Sequence, residues 1–120
     1  MTKVLDGKKG LVVGIANDHS IAWGIAKCLS DEGASMYLTY QNDSIKKRVE
    51  PLSKKINCLG IMPCDVSDTS SLESVCKGIE GNIDFFVHAV AYSDKNELSG
   101  KYLNTSKENF LKTLHISAYS

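Results

Sequence analysis

The stretch from Gly10 to Gly24, GLVVGIANDHSIAWG, constrains this chain more than any other. Leu11, Val12 and Val13 form the short apolar run of a strand buried on both faces. Gly14 ends that run, where a glycine takes a positive φ and leaves the backbone open to a ligand. Six residues later, Ser20 precedes Ile21, Ala22, Ile25, Ala26 and Leu29, an apolar stripe at helical spacing. Ser20 is therefore expected as a helix N-cap, with free amides and the positive dipole end facing the loop. Strand, glycine turn and helix N-terminus together make a site for a pyrophosphate. The spacing is not the G-x-G-x-x-G fingerprint: five residues separate Gly14 from Ser20 and three separate Ser20 from Gly24. A plain strand, turn and capped helix would carry the same pattern. Gly24 inside a helix costs on the order of 1 kcal/mol relative to Ala, so it is expected to permit close helix–strand packing.

The same alternation continues along the chain. Gly33 stands where a glycine closes the first helix. Ala34 to Tyr40 reads as a second strand, with Gln41 at its carboxyl end, the position that meets an adenosine ribose in a doubly wound sheet. A neutral amide there can hydrogen-bond a ribose without selecting charge. Lys46, Lys47 and Arg48 follow on a helix expected from Asp43 to about Lys55, interrupted or kinked at Pro51. They would suit a 2′-phosphate, but a solvated basic helix face is the commoner explanation, and NAD is favoured over NADP. Cys58 to Cys64 reads as a third strand, irregular at Gly60 and Pro63, with Asp65 and Val66 placed to receive an adenine. Ser70-Ser71-Leu72-Glu73 matches a capping box, which leaves Asp65 available, and Leu72, Val75, Cys76 and Ile79 give that helix a core face. Ile83 to Ala91 is a fourth apolar strand whose small residues after His88 would let a flat ring come close. Ser93 to Thr105 is a polar loop long enough for a lid. Thr105-Ser106-Lys107-Glu108 repeats the capping box, ahead of a helix with Phe110, Leu111, Leu114 and Ala118 on one side. The last residues carry no C-cap signal, so the chain reads as the first part of one domain, ending inside a helix.

The pattern β-α-β-α-β-α-β-α implies an α/β fold: the N-terminal half of a Rossmann-like, doubly wound parallel sheet of strand order 3-2-1-4. Fourteen basic and fourteen acidic residues cancel, so no electrostatic footprint for nucleic acid or an anionic membrane is present. No signal-peptide pattern and no membrane-length apolar run occurs. Cys28, Cys58, Cys64 and Cys76 lack C-x-x-C spacing and are expected as reduced thiols, three of them on core elements. His19, His88 and His115 have no i,i+4 partner, and no metal site is expected. The cytoplasm is the default location.

The segments Gly14 to Gly24, Thr39-Tyr40-Gln41-Asn42-Asp43, Cys64-Asp65-Val66, Phe86-Val87-His88 and Ile116 to Ser120, in that order, resemble the enoyl-acyl-carrier-protein reductases. These are NADH-dependent enzymes of bacterial-type fatty acid synthesis, a branch of the short-chain dehydrogenase/reductase superfamily. The resemblance implies hydride transfer to the trans-2 double bond of an enoyl thioester on acyl carrier protein, by a homotetramer when full length. It places Gly14, Ser20 and Ile21 on the pyrophosphate and its ribose, Gln41 on the adenosine ribose, and Asp65 with Val66 on the adenine. It further places Val90 and Ala91 by the nicotinamide ribose and Ser93 near the acyl substrate. Ala91 stands where the family usually has Gly, and Ser93 where it usually has a small apolar residue. The family's catalytic Tyr and Lys belong to the half of the fold after Ser120, so the 120 residues alone are expected to be inactive. Tyr40 and Lys47 share the spacing of that pair but begin at the end of the second strand, on the adenosine side. Two alternatives remain: a short-chain dehydrogenase acting on a carbonyl, and a nucleotide-binding module without chemistry. His88-Ala89-Val90-Ala91 replaces the Asn-Asn-Ala-Gly usual in the first of these.

Overall fold

Apolar runs too short to be helices become the strands β1 (Lys9–Val13), β2 (Ser35–Tyr40), β3 (Cys58–Pro63) and β4 (Phe85–His88). The computed structural model describes residues 3–120, which fall into two units divided between Ala89 and Val90. In the first unit the four strands form one parallel sheet in the order β3-β2-β1-β4, as the crossover rules predict. Val12 stands opposite Leu38 on one side and Val87 on the other. The crossovers carry α1 (Ile21–Asp31), α2 (Asp43–Ser53) and α3 (Thr69–Gly78).

Val12, Met36, Leu38 and Val49 are fully enclosed, and Ala22, Trp23 and Ala26 of α1 pack into the same cluster. Each large apolar side chain buried this way contributes about 1.5–3 kcal/mol. At the end of α1, Gly33 has φ 98°. Its amide donates to Ser30 O (2.9 Å) and that of Ala34 to Leu29 O (3.0 Å), the two bonds of a Schellman closure.

Several local expectations are corrected. Gly24 faces outward, and a Cβ there would meet nothing within 4 Å, so it serves no close helix–strand contact. Pro51 lies inside α2, which runs on to Ser53 before ending. The irregularity of β3 is a bulge: Met36 pairs with Cys58 but Tyr37 with Gly60, leaving Leu59 extra. The cap of α3 is Asp68, which accepts from the amide of Ser70 (2.9 Å), so Ser70 lies within the helix. Ile79 falls outside α3 and Cys76 is exposed on it, leaving Val75 as its buried anchor. Cys28 is also exposed, and of the four free thiols Cys64 alone is buried. Burial, then the charge of Asp65, pushes the Cys64 thiol upward. The fourth strand keeps only four residues in its ladder, with Phe86 54% exposed while Phe85 and Val87 pack on the core.

The second unit begins at Val90. Its polar loop contains two 3₁₀ turns, Lys95–Glu97 and Tyr102–Asn104, followed by α4 (Lys107–Leu114) and a π turn over His115–Tyr119. The cap of α4 is Ser106 rather than Thr105, accepting from the amide of Asn109 (3.1 Å). Glu97, from the loop, takes the part given to Glu108: its carboxylate accepts from the Ser106 amide (2.6 Å) and hydroxyl (2.8 Å). Within this unit Phe110, Leu111 and Leu114 are roughly half exposed, and the buried residue of α4 is the polar Asn109.

Candidate functional site

In a parallel sheet every strand ends on the same side, and three of the expected site residues stand there. Gly14 follows β1, Gln41 follows β2, and Asp65 comes two residues after the last of β3. Because β1 lies between β2 and β4, its crossover and that of its neighbour diverge, which opens a crevice beyond the carboxyl ends.

The loop from Gly14 to Ser20 is held from inside. Ile15 is 3% exposed and anchors it in the core. Ser20 is the N-cap residue of α1, but its side chain makes no bond to the helix. Instead its Oγ accepts from the amides of Ala16 (2.9 Å) and Asn17 (3.1 Å), while Asn17 Oδ1 accepts from the His19 amide (2.8 Å). The amides of Trp23 and Gly24 donate to Ser20 O. Those of Ile21 and Ala22 have no protein acceptor among the described residues. No acidic residue occupies the first turn of α1, so no carboxylate of the helix itself offsets its positive end. Ile21 is 79% exposed at that end.

Gly14 has φ 122°, the positive value expected of a glycine there, and the fold supplies a reason for it besides ligand approach. A Cβ at that position would lie 2.1 Å from the carbonyl oxygen of Ala89. That oxygen belongs to the turn after β4, whose Ala89 amide donates to Val13 O (3.0 Å). The glycine is required by the joining of β1 and β4, before any ligand arrives.

Gln41 is exposed beside Asn42, whose side chain caps α2 by accepting from Ile45 N (3.0 Å). Lys46 lies with Nζ 5.6 Å from the Tyr40 ring centroid, a cation–π contact. Lys47 and Arg48 are exposed. Asp65 does not cap α3. Its Oδ1 accepts from the Ser67 hydroxyl (2.6 Å) and amide (3.0 Å), and these two bonds hold its carboxyl below the ordinary value. Its own amide donates to Ser71 Oγ (2.8 Å). Val66 beside it is half-buried.

In the second unit, Val90 is half-buried and Ala91 exposed. Ser93 turns its hydroxyl inward, 3.1 Å from Asn109 Nδ2 and 3.3 Å from Thr113 Oγ1. Asn109 was not singled out by sequence reasoning. The available signal was its place three residues after Ser106, where a cap partner belongs. Among the described residues no cluster of three or more His, Cys, Asp or Glu could hold a metal ion.

The family model for enoyl-(acyl carrier protein) reductase matches residues 14–120. The chain belongs to the enoyl-(acyl carrier protein) reductase family. Within it, enoyl-[acyl-carrier-protein] reductase [NADH] 1 of Rhizobium meliloti (strain 1021) is 49% identical, over 98% of this chain and 44% of its own. The crystal structure of the Anaplasma phagocytophilum enoyl-(acyl-carrier-protein) reductase in complex with NAD superposes with TM-score 0.94 at 48% identity, over 99% of this chain and 47% of that one. The Bacillus cereus enoyl-acyl carrier protein reductase, solved with NADP+ and indole naphthyridinone, gives TM-score 0.90 at 33% identity over 98% and 48%. This family member therefore spans less than half the length of the curated relatives it matches.

Proposed function

We propose that this chain supplies the cofactor-binding part of an NADH-dependent enoyl-[acyl-carrier-protein] reductase, as the first part of a single dinucleotide-binding domain. The observation that carries this reading is the loop closed on Ser20 ahead of two open amides at the positive end of α1. Gly14, Ser20 and Ile21 receive the diphosphate and its ribose. Gln41 faces the adenosine ribose, and Asp65 with Val66 the adenine. Val90 and Ala91 flank the nicotinamide ribose, and Ser93 lies on the acyl side, acting through the placement of its segment because its hydroxyl is turned inward. Bound NADH supplies the hydride that reduces the trans-2 double bond of an enoyl thioester carried by acyl carrier protein. By family resemblance the proton donor and its supporting lysine are expected outside these 120 residues, so the reading assigned to them is cofactor binding.

NADH is favoured over NADPH because Gln41 is neutral and Lys46 is engaged on the Tyr40 ring. The working form is a cytoplasmic homotetramer with acyl carrier protein as partner. This rests on the family's place in fatty acid synthesis and on the balanced charge, which offers nothing to nucleic acid or an anionic membrane. No helix among the described residues is long and apolar enough to cross a membrane. The test is fluorescence titration of NADH and NADPH on a protein of the relatives' length, followed by NADH consumption with a crotonyl thioester. Tighter NADPH binding would transfer the ribose role to Lys46 and Arg48, and bound NADH without turnover would leave a binding module.

A further inference from the structure

The helix after the polar loop was expected to pack through apolar residues, yet its inward stripe is polar. Asn109, Thr113 and Ser117 recur at intervals of four along α4 and its π turn, so they share one face. All three bond to one short segment of backbone and side chain, Tyr92 to Asp94. Ser117 Oγ accepts from the Tyr92 amide (2.9 Å) and donates to the Tyr92 carbonyl (3.2 Å). Asn109 Oδ1 accepts from the Asp94 amide (2.9 Å), while its Nδ2 donates to Ser93 Oγ (3.1 Å). Thr113 Oγ1 lies 3.3 Å from both Ser93 Oγ and Asn109 Oδ1, closing the ring between them.

Asn109 is only 7% exposed, and its carboxamide uses both ends on this segment. A buried carboxamide left unpaired is costly, so the bonded arrangement is strongly preferred to alternatives in which Tyr92–Asp94 swings away. An apolar stripe would hold the loop by area, without direction. A polar ladder instead fixes the amides of residues 92 and 94 and the hydroxyl of residue 93 to defined points. The π turn carries Ser117, and such turns often mark functional positions.

We propose that Asn109, Thr113 and Ser117 are positioning residues for the enoyl substrate: they clamp Tyr92–Asp94 and so set the wall against which the acyl chain lies. The inference rests on the reading of Ser93 as substrate-side. Substrate binding is its target, and cofactor affinity is not. In the protein of the relatives' length, Asn109→Ala and Ser117→Ala each raise KM for a crotonyl thioester about tenfold, with NADH affinity within twofold of the parent. Ser117→Thr, which keeps the hydroxyl, restores the parent KM. Amide hydrogen exchange accelerates at Asp94 in Asn109→Ala and at Tyr92 in Ser117→Ala while the amides of β1 and β2 keep the parent's protection, which separates loss of the clamp from poor folding. Faster exchange with KM unchanged overturns the proposal. A parent protein that fails to bind NADH or to turn over overturns the enzymatic reading itself, a result distinct from an active Asn109→Ala of ordinary KM.

Discussion

Replacing Gly14 by Ala tests whether the end of β1 is shaped by the fold itself. Two costs arise at one atom. The backbone at φ 122° lies in a region that a side chain rarely adopts, which costs about 1–3 kcal/mol. The new Cβ would sit 2.1 Å from Ala89 O and 2.6 Å from Ala89 C. Both are backbone atoms, tied to β1 by the Ala89 amide on Val13 O, so neither can turn aside as a flexible side chain would. Relieving that overlap by shifting the end of β4 costs about a further 1–3 kcal/mol, as other overpacked sites do. The two together come to roughly 2–6 kcal/mol, a large share of the 5–15 kcal/mol typical of a whole domain. The assay is urea unfolding of a protein of the relatives' length, with Gly24→Ala as the paired control. Gly24 has open space where its Cβ would go, so there the change should gain up to about 1 kcal/mol from helix propensity. A loss at Gly14 below about 1 kcal/mol, or one no larger than the effect at Gly24, would refute the argument that Ala89 makes the glycine obligatory.

Ser20→Ala removes the acceptor shared by the Ala16 and Asn17 amides. At about 1 kcal/mol per bond, NADH affinity should fall about tenfold to thirtyfold by fluorescence titration, while Ser20→Thr keeps it; an unchanged affinity for the alanine variant would count against the loop as the diphosphate site. Asp65 is held below its ordinary value of 3.8 by Ser67. It therefore contributes stability that is present above that value and lost as pH falls through the lower folded one. Ser67→Ala, which keeps the amide bond, should raise the Asp65 titration toward 3.8 when followed by carboxyl-carbon NMR and reduce that acid-limb contribution, whereas an unmoved titration would show that the Ser67 hydroxyl does not act on the carboxylate.

The parts of this chain legible from sequence were those decided by periodicity and backbone sterics. Val12, Met36 and Leu38 lie at the centre of the sheet because apolar runs of strand length have nowhere else to go. Gly33 closes α1 through the two bonds its composition suggests. What escaped was decided by partners distant along the chain. Asp68 and Ser106 each won a cap from a neighbour that matched the motif equally well, and Glu97 entered only because a 3₁₀ turn brought it to Ser106. The same holds for the site. The positions of Gly14, Gln41 and Asp65 just past the carboxyl ends of β1, β2 and β3 were readable, and the roles proposed for them come from the resemblance. That Ser20 Oγ turns to the loop rather than the helix, and that Gly14 answers to Ala89, needed coordinates. Asn109 was invisible because a carboxamide in a helix reads as surface until its three partners are seen.

The bulge in β3 gives the sheet a direction of growth. Leu59 interrupts the regular pairing at one end of that outer strand, and Pro63 stands at the other. The Cys64 amide turns in to Tyr40 O (2.8 Å), so the imino nitrogen of Pro63 points outward, where an exposed donor would otherwise invite a partner. Kinked at one end and missing a donor at the other, this margin is a poor template for a further strand. The opposite strand, β4, pairs regularly with β1 and carries neither a bulge nor a proline among its described residues, and Phe86 on it is half exposed. A further strand is therefore disfavoured beside β3 by two features that the described residues of β4 do not carry.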